Sequence, residues 1–327
     1  MQAWRVHELG EPATVMRLDT VARPEAGPGQ LVVRVLGAAA NFPDVLMCRG
    51  LYQVKPALPF TPGVELCGEV VALGEDVTGF AVGERVLGGT TLPHGGFAEY
   101  AVMNANQTFS APSDLDDAEA AALYIGYQTG WFGLHRRAAL RPGETLLVHA
   151  AAGGVGSAAI QLGKAAGARV IGVVGGPEKA EYARELGADI VIDRRTQDFV
   201  EIVKAATDNR GADVIYDPVG GDTYARSTKC VAFEGRILVV GFAGGEIQSA
   251  ALNHALVKNY SIVGLHWGLY NAHDRAAVAH CHRELTRLAA DGAIRPLVSE
   301  RLALADLADG VQRLADGKTV GRVVYTP

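Results

Sequence analysis

The pattern of apolar and polar positions changes character part-way along the chain. In the first third, apolar residues come in short β-branched runs at 30–35, 68–73, 84–87 and 97–102, separated by Gly and Pro. Runs of this length between turn residues predict short strands, and a series of them predicts an all-β lobe closing into a small barrel. From Glu144 the rhythm becomes strand, helix, strand, helix. Continuous apolar runs at 145–149, 169–174, 189–192, 212–216, 236–240 and 260–264 suit parallel strands buried on both faces, with helical segments at 155–166, 178–186 and 199–207 among them. Six such strands are enough for a complete doubly wound α/β sheet. Beyond Gly264, apolar spacing predicts a helix over 274–291 and a last strand over 321–325, a tail expected to return to the first lobe. The Ala-rich stretch 118–122 favours helix.

Length and composition add limits. A chain of 327 residues is long for a single core, so two lobes with a cleft are expected. Hydrophobic residues at 49% and charged residues at 20% are ordinary for compact domains. The net charge of −6, with no Lys/Arg block longer than a dipeptide, argues against nucleic acid as a partner. The N-terminus has no apolar leader core, and no apolar run is long enough to span a bilayer, so a soluble cytoplasmic protein with no membrane partner is expected. Cys48, Cys67, Cys230 and Cys281 make no C-x-x-C pair and read as buried free thiols.

The densest chemical signal follows the strand at 145–149, where the chain runs Ala150-Ala151-Ala152-Gly153-Gly154-Val155-Gly156 into a helix. A chain that binds a pyrophosphate must turn sharply there, bring its backbone close and point the N–H groups of a helix start at the anion. Gly153, Gly154 and Gly156 meet those needs, and Ala152 and Val155 share the turn. The strand before and the helix and strand after raise this above a lone glycine triplet, against a turn of purely structural use. A nicotinamide dinucleotide is therefore expected. The end of the second strand selects the type: an acid there binds a ribose 2′-hydroxyl and repels a 2′-phosphate. Here it reads Val173-Val174-Gly175-Gly176-Pro177-Glu178-Lys179, with no acid at Val174 or Gly175. Gly175 leaves room, and Lys179 and Arg194 can supply positive charge, the other reading of these two being solvated surface charges. The missing acid points to NADPH.

With Asn41-Phe42-Pro43-Asp44, Pro59-Phe60-Thr61-Pro62-Gly63-Val64-Glu65 and Gly68-Glu69-Val70 added to that turn, the whole chain resembles the zinc-independent, zeta-crystallin-like quinone oxidoreductase branch of the medium-chain dehydrogenase/reductase superfamily. The resemblance implies a GroES-like β-barrel catalytic domain at 1–123 and 268–327 and a Rossmann domain with a six-stranded doubly wound parallel sheet at 124–267. It implies a homodimer formed through the sheet edge of the nucleotide domain. Asn41 is expected beside the nicotinamide, Tyr52 in the substrate cleft or as an ordinary loop aromatic, and Thr129 near the nicotinamide ribose or amide. Gly241-Phe242-Ala243 and Leu265-His266-Trp267 follow strands whose carboxyl ends face ligands, and are expected to wall the nicotinamide.

In the zinc-dependent cousins, Cys and His hold a catalytic metal at points that here are Asn41 and Val64, which cannot replace those ligands, so no metal is expected. The four-cysteine lobe is missing from 86–97, where His94 reads as a loop residue. Without a Lewis acid, alcohol oxidation is hard, whereas a quinone or an α,β-unsaturated carbonyl accepts hydride and spreads the charge onto oxygen. The expected activity is hydride transfer from NADPH to a quinone, with water or a nearby hydroxyl delivering the proton. An enoyl or alkenal reductase is the alternative, and a catalytically weak NADPH-binding, crystallin-like or RNA-binding protein is a third reading. Trp267 and Tyr270 read as a pocket wall or Trp267 as a buried structural residue, and His266 as a proton donor or a packed imidazole. Glu65 and Glu69 are set aside as a hydrolytic pair, and His135-Arg136-Arg137 reads as the solvated end of a helix.

Overall fold

The computed structural model describes all 327 residues, Met1 to Pro327. They form two compact units, one of Met1–Ile125 with Pro296–Pro327 and the other of Gly126–Arg295.

The first unit opens with an antiparallel pair, β1 (Gln2–Val6) and β2 (Met16–Thr20). Four longer strands follow: β3 (Gln30–Ala39), β4 (Glu65–Leu73), β5 (Arg85–Thr90) and β6 (Tyr100–Ser110). β3 pairs with both β4 and β6, and β5 with the same two, so the four strands close into an antiparallel ring. A closed ring leaves no raw edge and gives each strand an inner face. Leu31, Val33 and Val35 of β3, Leu66 and Val70 of β4, Val86 of β5 and Ala101 and Met103 of β6 share one buried core. This is the small barrel that the short apolar runs predict.

The second unit is a parallel sheet built from β7 (Thr145–Val148), β8 (Arg169–Val174), β9 (Ile190–Asp193), β10 (Ala212–Asp217), β11 (Val231–Val239) and β12 (Ser261–Gly264). Their spatial order is β12-β11-β10-β7-β8-β9. Leu147, Ile171, Ile192, Ile215 and Ile237 are wholly buried along it, as the continuous apolar runs require. The chain moves outward from β7 to β9, then returns to the other side of β7 for β10. Where strand order reverses in this way, the carboxyl ends of the strands leave a crevice.

The chain then returns to the first unit, where β14 (Arg322–Tyr325) pairs antiparallel to β3 and β13 (Val298–Leu302) runs parallel beside it. The helix Leu307–Ala315 buries Leu307, Ala308 and Val311 in the barrel core. The second crossing lies at 295/296 rather than at the expected 267/268, and the first at 125/126 rather than 123/124. The helix Arg275–Ala290 explains the correction. Its stripe of Val278, Cys281 and Leu285 is buried, its cap Asp274 pairs with Arg136 at 2.9 Å, and His280 meets Trp131 ring to ring at 5.6 Å. Farther on, the Gln161 amide makes a bond in each direction with the Arg295 backbone, at 2.9 and 2.6 Å. Amphipathic spacing shows that such a helix packs, not which lobe it packs against.

Smaller departures have local causes. β1, β2 and β13 carry polar or charged residues at most positions and give no apolar run. His135-Arg136-Arg137 ends a turn of π-helix, in which Ala138 N donates to Gly133 O at 2.8 Å, and His135 lies against Trp131 instead of in solvent. Trp267 is half-exposed, not a buried structural residue, and His266 is exposed.

Candidate cofactor and catalytic sites

β7 and β10 are neighbours at the point where the strand order reverses, and the glycine turn follows β7 directly. Ala150 takes the left-handed conformation at φ 48°, and Gly153 N donates to Ala150 O at 2.8 Å, which folds the chain back on itself. The helix Gly154–Ala165 starts there with Gly153 as its extended cap residue. The N–H groups of Gly154, Val155 and Gly156 open this helix with no preceding turn to accept from them, and an anion is the partner such donors favour. A Cβ on Gly156 would lie 2.2 Å from Ala150 O, so only glycine lets the helix close onto the turn. Beneath it, His149 is buried and its Nε2 lies 2.8 Å from Ser227 Oγ. Since Ser227 Oγ donates to Thr223 O, His149 Nε2–H is the donor of that pair. Burial, then the charge of Arg226, pulls the His149 pKa down to about 3, so it is a neutral strut.

The second half of the cradle is cationic. β8 ends at Val174, and Gly175-Gly176 lead into the helix Pro177–Glu185. A Cβ on Gly175 would meet the Arg194 guanidinium at 3.4 Å, and one on Gly176 would lie 2.8 Å from Arg195 Nη1. Lys179 faces the same two arginines: burial first, then the charges of Arg195 and Arg194, lowers its pKa. Gly175, Lys179 and Arg194 thus come together as the sequence predicts. Arg195 joins them unforeseen, although the dipeptide Arg194-Arg195 was its signal. The expected wall residues also sit at the carboxyl edge of the sheet. Gly241, Phe242 and Ala243 follow β11, with Ala243 N donating to Pro218 O at 3.0 Å, and Leu265 N donates to Val239 O at 3.0 Å just past β12. Thr129 is buried in the helix Tyr124–Trp131, whose Gly130 packs onto Leu162 of the helix Gly154–Ala165. Tyr270 stacks on Phe132 at 4.2 Å instead of facing open space.

In the first unit, Asn41 caps the helix Phe42–Cys48 and lies in a buried polar knot. Asn41 Nδ2 donates to Ala39 O at 3.1 Å and to Glu65 Oε1 at 2.8 Å, and Asn41 Oδ1 accepts from Arg322 Nη2 at 2.9 Å. Arg322 also pairs with Glu65, whose Oε2 accepts from Ile125 N at 2.7 Å. Asp44 Oδ2 accepts from Asn41 N at 2.9 Å and Asp44 Oδ1 from Gly63 N at 2.8 Å. Both amide hydrogens of Asn41 are therefore spent, which leaves it only acceptor capacity on Oδ1. Burial pushes Asp44 up to about 7 against its backbone donors, and burial also raises Glu65 against the pull of Arg322. Tyr52 is half-buried against the barrel core, and burial with the nearby Asp44 charge raises its phenol. Sequence reasoning set Glu65 aside and did not see Arg322, since their pairing joins β4 to β14 near the far end of the chain. His94 is an exposed loop residue, and Val64 is half-buried in the loop before β4.

Two family models match the chain, the alcohol dehydrogenase GroES-like domain over residues 27–113 and the zinc-binding dehydrogenase over residues 154–282. A quinone oxidoreductase-like protein 2 homologue of Nematostella vectensis is 40% identical over 97% of this chain and 87% of its own length. The chain belongs to the zinc-independent quinone oxidoreductase branch of the medium-chain dehydrogenase/reductase superfamily. Among solved structures of similar fold, the quinone oxidoreductase of Escherichia coli complexed with NADPH is 29% identical, with a TM-score of 0.93 over 100% of both chains. CurK enoyl reductase is 25% identical, with a TM-score of 0.88 over 99% of this chain and 98% of that one. Membership makes the chain an oxidoreductase with a GroES-like lobe and a Rossmann lobe. No group of three or more His, Cys, Asp or Glu is arranged to hold a metal ion, and no helix is long and apolar enough to cross a membrane.

Proposed function

We propose that the protein is an NADPH-dependent quinone reductase that works without a catalytic metal, as a cytoplasmic homodimer that binds no nucleic acid. The observation that carries the cofactor choice is the meeting of Lys179, Arg194 and Arg195 over the Gly175-Gly176 backbone, with no carboxylate ending β8. Three cations suit a ribose 2′-phosphate, and the opened N–H groups of Gly154, Val155 and Gly156 suit the pyrophosphate. When bound, NADPH supplies the hydride, and reduction of a quinone to its hydroquinone takes up one hydride and one proton. Ala152, Gly153, Thr129, Gly241, Phe242, Ala243, Leu265, His266 and Trp267 complete the cofactor bed in this reading.

At the catalytic end, Tyr52 is the donor and Asn41 a fixed acceptor. The raised phenol of Tyr52 stays protonated at neutral pH and can hydrogen-bond a substrate oxygen as negative charge grows there. Asn41 is locked by Glu65 and Arg322, so it accepts through Oδ1 and does not act as a proton source. The homodimer reading rests on β12, whose outer edge is unpaired within the chain. Beside it in sequence, the helix Leu252–Lys258 buries no residue and leaves Leu252, Leu256 and Val257 about three-quarters exposed. An open edge and an apolar helix face are best covered by a second copy. Four buried thiols suit a reducing compartment.

The likeness to an enoyl reductase favours one other reading, an α,β-unsaturated carbonyl or acyl-thioester acceptor. Steady-state NADPH oxidation against parallel panels of quinones and enones separates the two. Faster turnover of quinones is expected, preference for enones transfers the assignment to the alternative, and turnover of neither overturns both.

A further inference from the structure

Asp193 ends β9, one strand beyond the place where an acid would select NADH, and it stands next to Arg194 and Arg195. A carboxylate there should repel a 2′-phosphate if it faced the ligand. It does not: Asp193 Oδ1 accepts from Gly176 N at 2.9 Å and from Arg195 N at 3.0 Å. One oxygen therefore ties the loop after β8 to the turn after β9. Gly176 is held in a conformation closed to other residues, with φ at 106°, and the Arg195 guanidinium lies against it. Further bonds brace the turn, Asp193 N donating to Gln197 Oε1 at 2.9 Å and Arg194 N to Val174 O at 2.9 Å. The two backbone donors, before the neighbouring arginines, hold the carboxyl below its ordinary range.

We propose that Asp193 is a positioning residue for cofactor choice, whose Oδ1 fixes the Gly175-Gly176 loop and the Arg194-Arg195 turn in the spacing that receives a 2′-phosphate. This rests on the NADPH reading and goes beyond it, because it reverses the usual sign: an acid close to the 2′ position supports the phosphate instead of excluding it. The reason is that its role is geometric. Asparagine keeps the same acceptor oxygen and drops the charge, whereas alanine drops both.

The test is the ratio of affinities for 2′,5′-ADP and 5′-AMP, measured by calorimetry on the full chain for the wild type, Asp193→Ala and Asp193→Asn. The wild type is expected to favour 2′,5′-ADP by about tenfold or more, Asp193→Ala to bring the ratio below roughly threefold, and Asp193→Asn to match or exceed the wild type. Affinity for 5′-AMP should stay within roughly threefold throughout, which a merely unfolded variant would not show. If Asp193→Ala keeps or raises the preference, or Asp193→Asn loses it, the positioning role is wrong while the NADPH reading stands. A wild type indifferent to the 2′-phosphate would overturn both.

Discussion

Arg322 and Glu65 come from strands at opposite ends of the chain, and each keeps the other tolerable inside the barrel lobe. Arg322 is 4% exposed and Glu65 0%. A buried ion pair contributes little net stability, but losing one partner strands the other charge. Arg322→Met is therefore expected to cost about 3–5 kcal/mol in urea unfolding. It should also slow turnover, because Asn41 Oδ1 loses the donor that orients it. Tyr52→Phe removes only the phenol hydroxyl and should lower kcat/KM by about tenfold with little change in stability, in line with one net hydrogen bond. A turnover number untouched by Tyr52→Phe would remove it from the catalytic group. At this scale the sequence was informative where function needs particular backbone chemistry, as at Gly153 and Gly175. It was silent where function needs a partner distant in sequence, as Asn41 needs Arg322, because no local pattern records a pairing between β4 and β14.

The strand β7, the glycine turn and the helix Gly154–Ala165 form the element on which the reading turns. Its sequence is self-announcing, since an apolar run, close-spaced glycines and a helix must follow in order for the geometry to exist. Gly156→Ala places a Cβ 2.2 Å from Ala150 O, a backbone atom that cannot yield without reopening the turn. It is expected to weaken NADPH binding by at least about tenfold, read as a Kd by fluorescence titration, and unchanged binding would show that the helix start does not hold the pyrophosphate. The tail was less legible. The helix Arg275–Ala290 was predicted within one residue at each end, yet it belongs to the nucleotide lobe, through Asp274, His280 and its buried stripe. Periodicity specifies an apolar face, while the partner of that face is decided by residues far off in sequence.

For the whole molecule, two buried groups give opposing pH dependence. His149 has its pKa lowered from 6.5 to about 3, so the unfolded chain takes up a proton that the fold refuses. Its contribution to stability is present above pH 6.5 and is lost as pH falls toward 3, by up to about 1.4 kcal/mol per pH unit. Asp44, raised from 3.8 to about 7, acts the other way, its contribution being lost as pH rises through that interval. Urea unfolding across this range should show a flatter acid limb in His149→Gln than in the wild type. Parallel curves would show that His149 does not stay neutral in the fold. Assembly has its own check: Leu256→Asp should turn a dimer into a monomer in sedimentation, whereas a wild type already monomeric would leave β12 and its helix without the proposed cover.

The most direct test of the central claim is the pair of dissociation constants for NADPH and NADH on the unmodified protein at one ionic strength. The cationic cradle of Lys179, Arg194 and Arg195 predicts NADPH binding tighter by about tenfold or more, reduced toward parity by Lys179→Ala. Equal constants, unmoved by Lys179→Ala, would contradict it.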